Sequence, residues 1–171
     1  KIIEESRVQD IPCAISIQIR EESFYKDDKK KLELSVEEYM RIRTLCSDLG
    51  IPFGLALGPL VELDWLNKAE LSPDFIKLIY MATNDLKFVK RINKQFDCNK
   101  YFSVGLADDA YICDQIIPLM QNGDMIIHTS LSHEASDQNL LELNRLKTFG
   151  KDVCFGQHAK GREVCFAAIG A

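Results

Sequence analysis

The chain has 171 residues, of which 46% are hydrophobic, enough for one domain with a buried core. Its 21 lysines and arginines against 26 aspartates and glutamates give a net charge of −5. This mildly acidic balance, without a basic stripe, argues against a nucleic-acid partner. No apolar run approaches the ~20 residues of a membrane span and no signal peptide is recognisable, so we expect a cytoplasmic domain.

The six cysteines form no C-x-x-C pair, and most stand inside apolar segments. This pattern indicates free, buried thiols in a reducing compartment rather than a disulfide scaffold or a structural zinc site.

Six short apolar runs predict buried β-strands. They cover Cys13–Ile19, Pro52–Leu57, Phe75–Ile79, Tyr101–Val104, Met125–His128 and Val153–Gly156. The runs are apolar through most of their length rather than alternating, which is typical of a parallel sheet covered on both faces.

Amphipathic segments between these runs predict helices. Ser35-Val-Glu-Glu38 is a capping box that begins the first, and Gly50 ends it. Before it, the mixed charges of Lys26–Lys31 predict a solvated loop. Further helices are predicted over Leu60–Lys68, Leu86–Gln95, Asp109–Gln121, Asn139–Phe149 and Arg162–Ala168.

This alternation of strand and helix predicts an α/β fold, either doubly wound or a TIM-type (β/α) barrel. No G-x-G-x-x-G or Walker loop follows a strand, which favours the barrel. A barrel has eight units and at least ~200 residues, so the six runs predict an incomplete barrel, or a piece of one, in a single domain over 1–171. Open sheet edges would then favour a homo-oligomer.

Two histidines stand at the ends of consecutive predicted strands, His128 after the fifth run and His158 after the sixth. Strand ends at one edge of a parallel sheet converge, so both imidazoles could enter one pocket and bind a divalent metal. Alternatively, each ring makes only a local hydrogen bond. Candidates for a third ligand are His133, Glu134 and Asp137 in the loop after the fifth run, or a carboxylate from a strand that these six runs do not include. Mixed nitrogen and oxygen ligands favour Mn²⁺, with Zn²⁺ or Mg²⁺ as alternatives.

Three polar residues interrupt the apolar runs. Lys77 lies inside Phe75-Ile-Lys-Leu-Ile, where an ammonium is costly unless it meets an anion or reaches water from an edge strand. Ser103 could offer a hydroxyl to a phosphate or carboxylate. Gln18 is a weaker candidate of the same kind.

These motifs, in order, resemble the N-acetylneuraminate (sialic acid) synthase family. Leu49-Gly-Ile-Pro-Phe resembles the family's entry into its third strand, and Asp74-Phe-Ile-Lys77 resembles its lysine-bearing strand. Ser103-Val-Gly-Leu-Ala resembles its Ser-Thr-Gly-Met-Ala turn. Ile127-His128-Thr-Ser and Phe155-Gly-Gln-His158 resemble the segments that carry its two metal-binding histidines.

The resemblance implies a (β/α)₈ enzyme that condenses phosphoenolpyruvate with an N-acyl-mannosamine-type sugar in nonulosonic acid or surface polysaccharide biosynthesis. It implies that Lys77, Ser103 and Gln18 contact phosphoenolpyruvate, and that His128 and His158 bind the metal. The family's C-terminal antifreeze-like domain is not represented in these 171 residues.

The chain also departs from the family pattern. Ser16 replaces a lysine, Leu55-Ala-Leu-Gly replaces Ser-Thr-Pro-Phe, and Ile79-Tyr-Met-Ala replaces Gly-Ser-Gly-Glu. Leu131-Ser-His-Glu replaces an Asn-x-Tyr-Pro stretch, and Gly156-Gln replaces Ser-Asp. Each lost polar contact would weaken transition-state stabilisation by about 2–4 kcal/mol. A degenerate barrel that binds a sugar, an anion or a partner protein is therefore the alternative to an active synthase.

Overall fold

A computed structural model describes residues 12–59, 61, 64, 66, 71–130 and 139–171. The chain divides into two compact units, residues 1–76 and 77–171. Along the described residues, strands alternate with helices and every described strand pairing is parallel. The predicted α/β class is therefore confirmed. Barrel closure and the single domain over 1–171 stay predictions.

In the first unit, β1 (Ile15–Ile19) pairs in parallel with β2 (Phe53–Leu57), and every residue of β2 is buried. Two 3₁₀ turns follow β1, at Glu22–Tyr25 and Asp27–Leu32. The second turn falls on the predicted solvated loop and buries none of its side chains, as its charges lead one to expect.

Helix α1 (Val36–Leu49) connects β1 to β2. The Glu38 N–H donates to Ser35 Oγ over 3.2 Å, and the Ser35 N–H donates to Glu38 Oε2 over 2.6 Å, so the predicted capping box is present. Gly50 ends the helix with a φ of 63°, a left-handed conformation that glycine adopts without strain.

A carboxylate fixes the start of β2. The Phe53 N–H donates to Asp74 Oδ2 over 2.8 Å, and the Asp74 N–H donates to the Phe53 carbonyl over 2.8 Å. The Arg43 guanidinium of α1 donates two hydrogen bonds to the same carboxylate, over 3.1 and 3.2 Å. Helix and strand are thereby tied through one side chain.

The phenyl ring of Phe75 covers Gly54 of β2. A Cβ built on Gly54 would lie 2.2 Å from Phe75 Cε2, which no real side chain could tolerate. The ring therefore packs directly against the β2 backbone, and only glycine leaves room for it.

The boundary between the units falls inside β3 (Phe75–Leu78). In the second unit the order along the chain is α2 (Tyr80–Thr83), α3 (Leu86–Gln95), β4 (Asn99–Ser103), α4 (Asp109–Tyr111), β5 (Met125–Thr129), α5 (Leu141–Lys147), β6 (Asp152–Gly156) and α6 (Glu163–Gly170). Strand β5 lies between β4 and β6 and is parallel to both.

The six predicted strands agree with the observed ones to within two residues at each end. Helix α3 has the predicted bounds. The helix predicted over Asp109–Gln121 is not uniform, because α4 passes into a π-helical turn at Ile112–Ile116 and a 3₁₀ turn at Ile117–Leu119. The helix predicted over Leu60–Lys68 falls largely outside the described residues.

No helix in the described part of the chain has the length and apolar character needed to cross a bilayer.

Candidate functional site

The sheet of the second unit has two distinguishable faces, because side chains alternate along each strand. Register places Ser103 beside Ile127, and Ile127 beside Cys154. We call this side the Cys154 face. His128 pairs with Phe155 and lies on the other side, which we call the His128 face.

Lys77 belongs to the surroundings of Cys154. Burial raises the pKa of the Cys154 thiol to about 11, and the positive charge of Lys77 acts against this rise. Burial also raises the pKa of Tyr101, with a further contribution from Cys154. Tyr101 and Ser103 are two residues apart on β4 and therefore lie on one side of it, the Cys154 face, together with the Cys154 thiol. The Lys77 ammonium is near enough to act on the pKa of that thiol.

The predicted anion-binding residues are unequally buried. Ser103 is only 3% exposed, at the end of β4. Lys77 is half-buried within β3. Gln18 is exposed on β1 of the first unit. Lys77 and Ser103 thus both belong to the second unit, where Ser103 shares a face of the sheet with Cys154 and Lys77 acts electrostatically on the Cys154 thiol.

His128 lies beneath helix α5. Its side chain is 6% exposed, and its ring centroid is 6.2 Å from that of Phe155. Burial lowers the pKa of His128, and the Arg145 guanidinium of α5 acts in the same direction, whereas the Glu142 carboxylate opposes both. The backbone of Asn139 also opposes the shift, but neither ring nitrogen has a hydrogen-bond partner of normal geometry among the described residues.

His158 follows β6 and reaches towards the end of β5. Its Nδ1 lies 2.8 Å from the carbonyl oxygen of Ser130. A proton on Nδ1 would donate to that carbonyl and leave the lone pair on Nε2, the tautomer found in many metal-binding histidines. The alternative prediction, a local hydrogen bond at a strand end, describes this contact equally well.

The fit of a metal to these residues is incomplete. The two rings supply nitrogen ligands, but no group of three histidine, cysteine or acidic side chains in the described residues could hold a metal ion. The third-ligand candidates His133, Glu134 and Asp137 lie outside the described residues. In addition, His128 stands on the opposite face of the sheet from Cys154.

The family's polar positions are filled here by apolar and aromatic side chains. Leu55 of β2 and Ala82 of α2 are fully buried. The ring of Tyr80 lies against Gly105, where a Cβ would be 2.4 Å from Tyr80 Cδ2. Leu55 and Ala82 therefore bring no hydrogen-bonding side chain to these positions, whereas Tyr80 keeps a hydroxyl where the family has a serine.

The first unit holds a cavity of about 550 Å³ beside the end of β1. Ile19, Tyr39 and Val61 contribute apolar walls, and several glutamates contribute acidic ones. Two of the carboxylates are already engaged, Glu21 with Arg20 and Glu38 with the Ser35 N–H. The sequence does not predict this cavity.

The sequence does not identify Thr129 as a candidate site residue. Thr129, at the end of β5, is 4% exposed, and its Oγ1 has no hydrogen-bond partner among the described residues. Threonine is common in strands, so its type alone carries no signal.

Known proteins resemble the chain in sequence and in structure. It is 29% identical over 163 residues to MJ1065, an uncharacterised protein of Methanocaldococcus jannaschii, covering 90% of this chain and 47% of that protein. No protein-family model matches it.

Two solved structures share its fold. Sialic acid synthetase from Leptospira borgpetersenii serovar Hardjo-bovis, in complex with citrate, matches with a TM-score of 0.80 and 17% identity, over 98% of this chain and 61% of that one. The spore coat polysaccharide biosynthesis protein SpsE of Bacillus subtilis matches with a TM-score of 0.77 and 18% identity, over 98% of this chain and 51% of that one. The chain thus spans roughly half the length of these relatives. It has the fold of sialic acid synthetase, and the resemblance predicted from the sequence is confirmed at the level of the fold.

Proposed function

We propose that the chain forms part of a (β/α) barrel that condenses phosphoenolpyruvate with an N-acyl-mannosamine-type sugar, in nonulosonic acid or surface polysaccharide biosynthesis. The observation that carries this proposal is the fold likeness, which extends over 98% of the chain to two proteins named for sialic acid synthesis and spore coat polysaccharide biosynthesis. We expect the protein to act in the cytoplasm.

Lys77 and Ser103 hold the phosphoenolpyruvate anion in this proposal. An ammonium and a hydroxyl at the carboxyl ends of strands suit a ligand with carboxylate and phosphate oxygens. The citrate in the Leptospira enzyme is also a small polyanion. Gln18 is assigned to the same ligand from the sequence resemblance.

The second part of the proposal is a bound divalent metal ion, with Mn²⁺ preferred over Zn²⁺ and Mg²⁺. His128 and His158 would hold it together with a residue from the segment 131–138. When bound, such an ion polarises a sugar aldehyde. The described residues offer only these two metal ligands. In the proposed reaction, Lys77 and Ser103 offset the negative charge of phosphoenolpyruvate.

The metal can be tested without turnover. We expect Mn²⁺ to raise the melting temperature of the full-length protein, and His158→Gln to abolish that rise. Lys160→Gln, which changes a neighbouring residue, serves as the control. A metal-induced shift that survives both His128→Gln and His158→Gln would place the ion elsewhere.

A second function, binding without catalysis, is favoured by the packing of Leu55 and Ala82. These two fully buried side chains stand where the family has a serine hydroxyl and a glutamate carboxylate. Such a barrel would retain an anion on Lys77 and Ser103 but lack the groups that move protons.

Turnover distinguishes the two functions. The full-length protein is incubated with phosphoenolpyruvate, Mn²⁺ and a panel of N-acyl hexosamines, and released phosphate is measured. We expect Lys77→Met to reduce kcat/KM by about 100-fold, as loss of an anion-stabilising group does, and Lys87→Met on the exposed side of α3 to have no effect. Phosphoenolpyruvate binding without phosphate release would instead establish the binding function.

A further inference from the structure

The hydroxyl of Thr129 is a buried polar group whose role the proposed function does not explain. It is buried at the end of β5, with no hydrogen-bond partner in the part of the chain that the structure describes. A buried hydroxyl left unpaired destabilises a protein by about 1–3 kcal/mol. Native structures contain few such groups, and each one calls for an explanation, such as a catalytic role or a bound water or ion.

The space around this hydroxyl exists because residue 156 is a glycine. Thr129 pairs with Gly156 across β5 and β6. A Cβ built on Gly156 would lie 2.1 Å from Thr129 Oγ1 and 3.1 Å from Ile127 Cγ2. The Thr129 hydroxyl therefore occupies the volume that a side chain at position 156 would fill.

The resemblance to the synthase family gives this position a meaning. The family has a serine where this chain has Gly156. One hydroxyl is thus lost from β6, and another stands in nearly the same place, supplied by the neighbouring strand.

The face on which the hydroxyl lies also suits an anion. Thr129 is two residues from Ile127 on β5, so it shares the Cys154 face with Ser103. Because Oγ1 has no protein partner among the described residues, a rotation about χ1 towards an entering ligand would break no described hydrogen bond.

We propose that the Thr129 hydroxyl donates a hydrogen bond to a phosphate or carboxylate oxygen of a ligand bound on the Cys154 face, beside Ser103 and Lys77, and so replaces the hydroxyl that Gly156 lacks. This inference rests on the proposed function and adds a contact to its anion site.

Binding of phosphoenolpyruvate to the full-length protein, measured by calorimetry, tests the contact. Thr129→Val keeps the shape and removes the hydroxyl, and we expect it to weaken binding by about 10- to 100-fold, the loss of one hydrogen bond to a charged group. Thr129→Ser should bind as the wild type does. Thr148→Val, at an exposed threonine after α5, is the matched control.

A swap of the hydroxyl between strands gives the sharper test. Gly156→Ser alone should weaken binding, because the new side chain collides with Thr129. Combined with Thr129→Ala it should restore binding, since the hydroxyl then comes from β6. Inorganic phosphate and pyruvate, titrated separately, show which anionic group the hydroxyl contacts.

Thermal unfolding without ligand distinguishes a ligand-binding hydroxyl from a structural one. Thr129→Val should keep or raise the melting temperature, and a fall of several degrees would reveal a structural hydrogen bond and overturn the inference. Equal phosphoenolpyruvate affinity in wild type and Thr129→Val would also overturn it, leaving the proposed function intact. Phosphate binding that depends on Thr129, without turnover, would overturn the synthase activity alone, whereas no anion binding would overturn both.

Discussion

At the scale of single residues, the chemistry of the second unit is set by how deeply each group is buried. The Cys154 thiol has a pKa of about 11 because burial disfavours the thiolate, although the Lys77 charge counteracts this. The thiol is therefore protonated and unreactive at neutral pH. Cys113, by contrast, is exposed to reagents in solution.

This difference predicts the order of alkylation. Iodoacetamide at pH 8 should modify Cys113 well before Cys154, with the sites followed by peptide mass spectrometry. Since the ammonium of Lys77 stabilises the thiolate, Lys77→Met should raise the pKa of Cys154 further and slow its alkylation between pH 9 and 11, a window that follows from that pKa. An unchanged rate at Cys154 would mean that Lys77 lies elsewhere, and Lys87→Met controls for a general loss of charge.

The sequence predicts which residues are candidates for the site, but not the direction in which their side chains point. His128 and Lys77 both interrupt apolar runs, and nothing in such runs distinguishes one face from the other when both are buried. The register of β5 and β6 decides it, and register depends on contacts between strands. Thr129 and Gly156 could not be paired for the same reason.

At the scale of elements, local signals were the most reliable. The capping box of Ser35 and Glu38 and the stop at Gly50 depend only on neighbouring residues, and both are present. By contrast, Pro118 has no N–H to donate within a helix. The segment predicted as one helix accordingly ends in π and 3₁₀ turns around it.

Removal of the cap should destabilise the first unit measurably. Ser35→Ala leaves the Glu38 N–H without its side-chain acceptor, and we expect the free energy of unfolding to fall by about 1 kcal/mol in urea titrations. Ser47→Ala, on the exposed side of α1, should change it little. Equal effects of the two substitutions would show that the cap contributes nothing.

A second element depends on a buried carboxylate at the start of β5. Asp124, 2% exposed, accepts hydrogen bonds from the Lys100 and Gln121 N–H groups, each over 2.7 Å. Asp124→Ala would leave both donors unpaired, so we expect a loss of roughly 2–4 kcal/mol in the free energy of unfolding. The exposed Asp152 offers a control through Asp152→Ala. A loss below 1 kcal/mol would show that water replaces the carboxylate.

At the scale of the whole molecule, alternation of strand and helix could be predicted because strand runs and helical periodicity are both local. Closure of a barrel could not, since it depends on units that six strands do not supply. Helix α6 is predicted from its local pattern, but the exposure of its side chains is not. Its apolar Phe166 and Ile169 are 71% and 83% exposed.

Those two side chains bear on the homo-oligomer expected from the sequence, because exposed apolar surface of this kind favours association. We predict that this 171-residue chain self-associates, and that Phe166→Glu with Ile169→Glu shifts it towards the monomer in sedimentation velocity. Leu141→Glu, at an exposed leucine of α5, is the matched control. A wild-type chain that sediments as a monomer would contradict the prediction.

The contact between Gly54 and the Phe75 ring has an evolutionary consequence. Because the ring fills the volume of any side chain at position 54, the two positions cannot vary independently. Among homologues, we expect glycine at 54 to accompany an aromatic residue at 75, and larger residues at 54 to occur only where 75 is small.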